Sequence, residues 1–332
     1  MVAANKLASQ ITAGNRQALA RAITLIESVR DDHRAQARDL LAHLLPDTRR
    51  SIRLGISGSP GVGKSTFIEA FGGHLTAHGH KVAVLAVDPS STRGGGSILA
   101  DKTRMETLSR DPNAFIRPSP SGRTAGGVAR GTRDTIALVE AAGFDVVIVE
   151  TVGVGQSETA AYDLVDMFIL LLNPAGGDEL QGIKRGIVEL ADLMVVTKAD
   201  GALRSAATKT AAQYGGALGL LRPGKRDWKP EIVLTSAREQ RGIEEVWRRI
   251  EAFRTSREQS GALVKRRAEQ ATTWMWRDVE TGLIEHLKQD RKAAATARKL
   301  ARDVAAGTLT PAAAAWEILA AHTSGEGSDR NS

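Results

Sequence analysis

The segment Gly58-Ser-Pro-Gly-Val-Gly63-Lys64-Ser65-Thr66 constrains the fold more than any other feature of this sequence of 332 residues. It matches the phosphate-binding pattern G-x-x-x-x-G-K-[ST] and lies between an apolar run and a helical pattern, as such a loop requires. The glycines allow successive backbone N–H groups to face a phosphate, and the following helix N-terminus adds partial positive charge. A chance glycine-rich turn is disfavoured by these flanking patterns. We predict a nucleoside triphosphate site formed by Gly58, Ser59, Pro60, Gly61, Val62, Gly63, Lys64, Ser65 and Thr66.

Short apolar runs alternate with helical patterns over residues 51–254. The runs are Ile52–Ser57, Val82–Asp88, Val146–Thr151, Met167–Leu172, Leu193–Thr197 and Ile232–Thr235. Runs this apolar are typical of strands buried on both faces, so the pattern predicts an α/β fold with a doubly wound, mostly parallel sheet. We expect a P-loop domain over 51–254, helical extensions over 1–50 and 255–322, and a disordered tail over 323–332.

Two side chains of the loop and one acidic residue carry the predicted phosphate chemistry. Lys64 is predicted to bridge β- and γ-phosphate oxygens, and the Ser65 hydroxyl to ligate Mg²⁺. A P-loop enzyme also needs an acid at a neighbouring strand end. Glu150 follows the apolar run VVIV and is the candidate, although Asp is usual there and a structural acid is the alternative. Gly153 is predicted to donate its N–H to the γ-phosphate.

Two aspartates follow the second apolar run. Asp88 ends that run and is predicted to hold a metal-bound water or the attacking water. Asp101 lies after a glycine-rich stretch, in a loop long enough to close over the γ-phosphate. The alternative for Asp101 is an N-cap of the helix that follows.

The segment Thr197-Lys198-Ala199-Asp200 ends a predicted strand and indicates guanine as the base. Guanine presents two adjacent donors, N1–H and N2–H₂, which one carboxylate such as Asp200 can accept, whereas adenine lacks that pair. Lys198 is predicted to pack its stem over the base. Thr197 replaces the usual Asn, and we expect this to weaken a hydrogen bond between this loop and the P-loop. Further nucleotide contacts are predicted from Ser236, Ala237 and Arg238, with the Ala237 N–H meeting guanine O6. The combination favours GTP over ATP.

The position after Gly153 bears on the rate of hydrolysis. Small GTPases place there a Gln that orients the attacking water, whereas this chain has Val154, which cannot hydrogen-bond through its side chain. Gln156 lies further along. We therefore predict slow intrinsic hydrolysis that a partner protein accelerates.

Composition limits the other classes of function. The sequence has no cysteine, which excludes disulfides and thiolate chemistry and fits a reducing compartment. Its formal charge is +7, but the basic residues alternate with acidic ones in helical sequence, so solvated helix faces are favoured over a nucleic-acid surface. The start has no signal-peptide core, and no apolar run is long enough to span a bilayer. The expectation is a cytoplasmic protein that binds neither nucleic acid nor membrane.

The motifs GSPGVGKST, VDPSS, ETVGVGQSE, NPAGGDELQGIK and TKAD closely resemble those of the MeaB/MMAA group of P-loop GTPases, over about residues 10–320. That group is related to the GTPases that insert metals and cobalamin into enzymes. The resemblance implies a GTP-hydrolysing chaperone that binds GTP and GDP and serves the adenosylcobalamin-dependent methylmalonyl-CoA mutase. GTP hydrolysis would gate the loading of its cofactor and its rescue from inactive cobalamin.

The resemblance also implies site residues and assembly. It implies Mg²⁺ bound around Ser65, Asp88, Asp101 and Glu150, and a homodimer joined through the C-terminal helical region. The segment 173–184 would be a mobile switch that answers to the mutase, with Lys184 stabilising transition-state charge. The alternative for Lys184 is an ordinary surface lysine.

Other functions stay open at this point. A metal-delivery GTPase would share the nucleotide site, and His74, His78 and His80 form a close group, although histidines at a helix end are also favoured by the helix dipole. A small-molecule kinase, such as the amino-acid transport kinase of older naming, would need a second substrate pocket.

Trp274 and Trp276 are two positions apart on a predicted helix, so they cannot both face the same core. One of them is therefore expected in a subunit or partner surface. The alternative is that both are half-buried within the monomer.

Overall fold

The computed structural model describes residues 2–28, 30–44, 51–87, 105–117, 125–151, 157–174, 185–221 and 228–326. They form two compact units, Met1–Val264 and Lys265–Ser332. The strands are β1 (Ile52–Gly58), β2 (Val82–Val87), β3 (Ala114–Arg117), β4 (Val146–Thr151), β5 (Met167–Leu172), β6 (Leu193–Val196) and β7 (Glu231–Leu234). The helices are α1 (Val2–Thr12), α2 (Arg16–Glu27), α3 (Asp31–His43), α4 (Lys64–Ala77), α5 (Glu106–Arg110), α6 (Ala125–Ala141), α7 (Ser157–Tyr162), α8 (Arg185–Leu190), α9 (Arg204–Leu221), α10 (Ile243–Gln259), α11 (Ala262–Gln289), α12 (Arg291–Ala305) and α13 (Pro311–Glu326).

The described strands form one seven-stranded sheet in the order β3-β2-β4-β1-β5-β6-β7, and every pair is parallel. The predicted α/β fold with a doubly wound parallel sheet is confirmed. Each apolar run predicted as a strand is one, with ends that differ by at most one residue. The additional edge strand β3 was not predicted, because its sequence AFIR is too short to stand out.

The central strands β1, β4 and β5 are buried along their whole length, which explains their uninterrupted apolar sequence. Helix α4 covers one face of the sheet with Phe67 and Phe71, whose rings stack 5.6 Å apart. Helix α10 adds Ile250 and Phe253 to the same core. Because all strands run parallel, their carboxyl ends meet at one edge, where the loops after β1, β6 and β7 lie.

A buried ion pair joins β1 to α6. The guanidinium of Arg53 donates to both carboxylate oxygens of Glu140, from Nε to Oε1 at 2.7 Å and from Nη2 to Oε2 at 2.8 Å. The Ser51 hydroxyl donates to the same carboxylate at 2.6 Å. The side chain of Glu140 is 0% exposed and that of Arg53 8%. This pair therefore lies in the interior of the first unit, shielded from water.

The N-terminal helices attach to the β3 edge of the first unit. Arg16 on α2 donates to the carbonyl oxygens of Asp111, Pro112 and Ala114, at 3.3, 2.8 and 2.7 Å. Glu27 at the other end of α2 pairs with Arg117. Helix α2 is therefore joined by polar contacts to β3 and to the residues that lead into it.

The second unit contains most of α11 and the hairpin of α12 and α13. Asp290 caps α12 by accepting the Lys292 and Ala293 N–H groups, and its other oxygen contacts His322 Nδ1 at 2.8 Å. The His322 contact, together with these N–H groups, holds the pKa of Asp290 below its usual range.

Helix α10 runs across residue 254, and α13 continues to Glu326, into the segment expected to be a disordered tail. The predicted domain boundaries remain predictions. Among the described residues, no helix combines the length and apolar character needed to cross a membrane.

Candidate nucleotide-binding site

The predicted phosphate loop connects the end of β1 to the start of α4. Gly61 and Gly63 have φ values of 79° and 96°, in the left-handed region that glycine adopts without strain. Gly63 directly precedes α4, and its carbonyl accepts the Phe67 N–H at 2.9 Å. Gly58 packs so closely that a Cβ there would lie 2.7 Å from the Leu171 carbonyl oxygen. The loop is thus a tight turn that ends at a helix N-terminus, the arrangement that binds phosphate.

Lys64 is the first residue of α4, and its side chain folds back over the loop. Its Nζ donates to the Gly58 carbonyl at 2.7 Å and to the Ser59 carbonyl at 3.3 Å. The ammonium charge is therefore held inside the turn, where the β- and γ-phosphates of a bound nucleotide would lie. Ser65 is partly buried, and Thr66 is exposed.

The loop after β6 is tied directly to the phosphate loop. The Thr197 hydroxyl lies 2.6 Å from the Val62 carbonyl, and Lys198 Nζ donates to the Gly61 carbonyl at 2.6 Å. Thr197 therefore supplies a hydrogen bond to the phosphate loop in place of the usual Asn, and the expected weakening of this connection stays a prediction. Lys198 has a φ of 53°, unusual for a residue with a side chain. The segment predicted to read the base is thereby fixed beside the segment predicted to bind phosphate.

The third segment follows β7 and contacts Asp200. The Ser236 hydroxyl donates to Oδ2 of Asp200 and also accepts the Glu239 N–H at 3.1 Å. Ala237 is partly buried and Arg238 is exposed. The structure therefore brings Gly58–Thr66, Lys198, Asp200 and Ser236 together, and their roles toward a guanine nucleotide remain predictions.

Arg241 also belongs to this region, although no sequence pattern singled it out. Its Nη2 donates to the Ala199 carbonyl, and its Nη1 pairs with Glu239 at 2.8 Å. In the sequence it lies among alternating basic and acidic residues, which are typical of an exposed helix face. Only the fold shows that its side chain reaches the loop after β6.

Glu150 lies near the carboxyl end of β4, the strand beside β1. It is in register with Ile56 of β1 and is 5% exposed. The other residues predicted for the γ-phosphate and the metal, Asp88, Asp101, Gly153 and Lys184, lie outside the described residues. Their roles remain predictions.

Two of the three histidines considered for metal delivery contact each other, and the third pairs with an aspartate. His80 pairs with Asp145 at 2.8 Å, whereas His78 Nδ1 contacts the His74 carbonyl at 2.7 Å. Burial, with the neighbouring His78, lowers the pKa of His74. Within the described residues, no group of three or more His, Cys, Asp or Glu side chains could hold a metal ion. The described contacts of these histidines give metal delivery no support.

Comparison with known proteins agrees with the site geometry. The model of the family described as "Methylmalonyl Co-A mutase-associated GTPase MeaB" matches residues 19–292. A probable GTPase of Mycobacterium tuberculosis is 51% identical over 94% of this chain and 93% of its own. The mouse protein named methylmalonic aciduria type A homolog, mitochondrial, is 47% identical over 96% of this chain and 80% of its own. The crystal structure of a protein named LAO/AO transport system kinase superposes with a TM-score of 0.75 at 38% identity, covering 96% of this chain and 97% of the other. This chain therefore belongs to the MeaB family of methylmalonyl-CoA mutase-associated GTPases, P-loop proteins that hydrolyse GTP.

Proposed function

We propose that this protein is a GTP-hydrolysing chaperone that binds the adenosylcobalamin-dependent methylmalonyl-CoA mutase and gates its cofactor loading, protection and reactivation. The observation that carries the proposal is the match to the mutase-associated GTPase family over residues 19–292. The relative named for methylmalonic aciduria supports it as well. The protein would act as a switch in the cytoplasm, and hydrolysis would time a change in its contact with the mutase.

The chain's own residues have distinct roles in this proposal. Asp200, held by Ser236, accepts the N1–H and N2–H₂ groups of guanine, and the Lys198 stem covers the base. The backbone N–H groups of the loop around Gly61 and the Lys64 ammonium receive the phosphates. On GTP binding, Lys64 exchanges the Gly58 and Ser59 carbonyls for phosphate oxygens. The hydrogen bonds from Thr197 and Lys198 to the phosphate loop hold the segment that contacts the base in a fixed position relative to the segment that contacts the phosphates.

The residues present fit a Mg²⁺ ion. Ser65 offers a hydroxyl at the start of α4, and Glu150 offers a carboxylate buried beside β1, the oxygen donors that Mg²⁺ prefers. Asp88 and Asp101 would complete the set. When bound, the ion supplies charge that offsets the negative charge on the β- and γ-phosphates.

Activation by the mutase is the direct test of the proposed function. GTP turnover by the purified protein should be slow, because Val154 cannot orient water, and should rise at least about tenfold with the mutase. Phosphate release is measured with GTP and with ATP, each with and without the mutase, and with the mutase alone. Turnover that does not respond to the mutase would contradict the proposal, and phosphate transfer to a small molecule would favour a kinase. Turnover that responds only to a transition metal would favour metal delivery.

The proposal includes a homodimer formed through α11. This helix exposes Trp276 at 58% and Leu283 at 63%, and Trp274 is partly buried. Its exposed large apolar side chains within the second unit are Met275, Trp276, Val279, Leu283 and Ile284. Their spacing places most of them along one side of the helix, and a patch of this kind is typical of a protein interface.

Replacing Leu283 with Glu is expected to weaken self-association by about 100-fold or more, because an unpaired charge would be buried between two copies. Sedimentation velocity over a concentration series measures the dimer fraction. Thr281→Glu is the matched control, since this exposed residue lies two positions away, near the opposite side of the helix. A wild-type chain that stays monomeric at high concentration, or equal dimerisation of both variants, would argue against this interface.

A further inference from the structure

The segment Ser236–Gly242 forms a closed loop beside Asp200. Ser236 and Arg241 exchange backbone hydrogen bonds in both directions, at 2.9 and 3.0 Å. Gly242 has a φ of 77°, and a Cβ there would lie 2.2 Å from the Leu234 carbonyl oxygen. Only glycine fits this turn, so the backbone position of Arg241 is fixed relative to the end of β7.

From that position Arg241 reaches across to the loop after β6. Its guanidinium donates to the carbonyl of Ala199, which belongs to the peptide bond joining Ala199 to Asp200. The Ala199 N–H donates to the Thr235 carbonyl at 2.9 Å. Both backbone groups of Ala199 are therefore bonded to residues at and after the end of β7.

The Arg241 bond supports a stretch of backbone that has an uncommon conformation. Lys198, directly before Ala199, has a φ of 53°, which residues with side chains rarely adopt. A strained conformation persists where surrounding contacts determine it. Here those contacts are the Lys198 bond to Gly61 on one side and the Arg241 bond to Ala199 on the other. Glu239 holds the guanidinium in turn, at 2.8 Å.

We propose that Arg241 is a positioning residue for guanine recognition. It holds the Ala199–Asp200 peptide so that the Asp200 carboxylate, with Oδ2 bonded to Ser236, faces the N1–H and N2–H₂ donors of the base. The inference rests on the proposed role of Asp200 in reading guanine. Arg241 acts through the peptide and does not itself touch the nucleotide.

The test compares GTP with ITP, because inosine lacks the 2-amino group from which Asp200 would accept a hydrogen bond. Arg241→Met keeps a long stem and removes the donors. In this variant we expect KM for GTP to rise about tenfold, KM for ITP to rise much less, and kcat to stay within about twofold. Arg241→Lys retains a donor and should restore most of the GTP preference. Calorimetric titration of GDP and IDP checks the same ratio without turnover.

Arg248→Met is the matched control. Arg248 is also exposed and paired with a glutamate, Glu245, but it lies on α10 and not in the segment Ser236–Gly242. The thermal unfolding midpoint of the Arg248→Met variant, and its ratio of KM for ITP to KM for GTP, should equal those of the wild type. An unchanged ratio in Arg241→Met would overturn the proposal, as would a loss of thermal stability with no change in the ratio.

The variant Asp200→Asn tests the proposed base recognition separately from the proposed role of Arg241. This variant should lose affinity for GTP and gain affinity for XTP, whose C2 carbonyl can accept the amide donor. Adding Arg241→Met to Asp200→Asn should then leave the ITP to GTP ratio unchanged, because the carboxylate being positioned is absent. If Asp200→Asn binds GTP normally, the proposed base recognition fails and this inference fails with it. If Asp200→Asn behaves as expected and Arg241→Met does not, only the role of Arg241 is rejected.

Discussion

Replacing Lys64 with alanine is expected to lower kcat/KM for GTP by about 10³-fold, the loss typical when a charge-stabilising group is removed from a reacting centre. The Lys64 ammonium lies 2.7 Å from the Gly58 carbonyl, inside the turn that would enclose the phosphates. Alanine is a good helix former, so α4 should still begin at this position.

Single-turnover hydrolysis and GDP affinity should be measured for this variant beside Lys209→Ala. Lys209 is an exposed lysine on α9, so its replacement removes the same charge away from the phosphate loop. The control should match the wild type in both measurements. Hydrolysis by Lys64→Ala within about tenfold of the wild type would show that the ammonium contributes little to the transition state.

The strands could be predicted from the sequence because of how they are buried. Each strand with helices on both faces needs apolar side chains on both sides, so β4 and β5 appear as the continuous runs VVIV and MFILLL. The edge strand β3 has only four residues, and its last two, Ile116 and Arg117, are partly exposed. A short strand with that pattern cannot be distinguished from a loop by composition.

The site could be predicted as far as its residues lie in contiguous motifs. The segments Gly58–Thr66 and Thr197–Asp200 are such motifs, and the structure brings them together. The bond from Thr197 to Val62 joins residues 135 positions apart, so its presence depends on how β6 sits beside β5 and β1. The contact of Arg241 with Ala199 depends in the same way on the turn at Gly242. Such bonds follow from three-dimensional geometry that local patterns do not contain.

The Arg53–Glu140 pair is a second feature that only the fold shows, and breaking it is expected to cost about 3–5 kcal/mol of unfolding free energy. In Glu140→Ala, Arg53 would keep its charge in the interior, with both donors to the carboxylate unsatisfied. Urea unfolding followed by circular dichroism gives the free energy from the midpoint and slope. Glu245→Ala is the control, because Glu245 pairs with Arg248 and Arg249 near the surface, and each such pair contributes about 1 kcal/mol or less.

Removing both charges distinguishes a buried unpaired cation from a simple loss of packing. In Arg53→Met with Glu140→Leu, no charge remains to be desolvated, and the apolar side chains occupy a similar volume. We expect this double variant to recover most of the stability that Glu140→Ala loses, since hydrophobic replacement of a buried pair is often neutral or stabilising. If instead the double variant is as unstable as Glu140→Ala, the pair must hold β1 against α6 through hydrogen-bond geometry that apolar side chains cannot supply. A loss below about 1 kcal/mol in Glu140→Ala itself would mean that water reaches Arg53 in the folded protein.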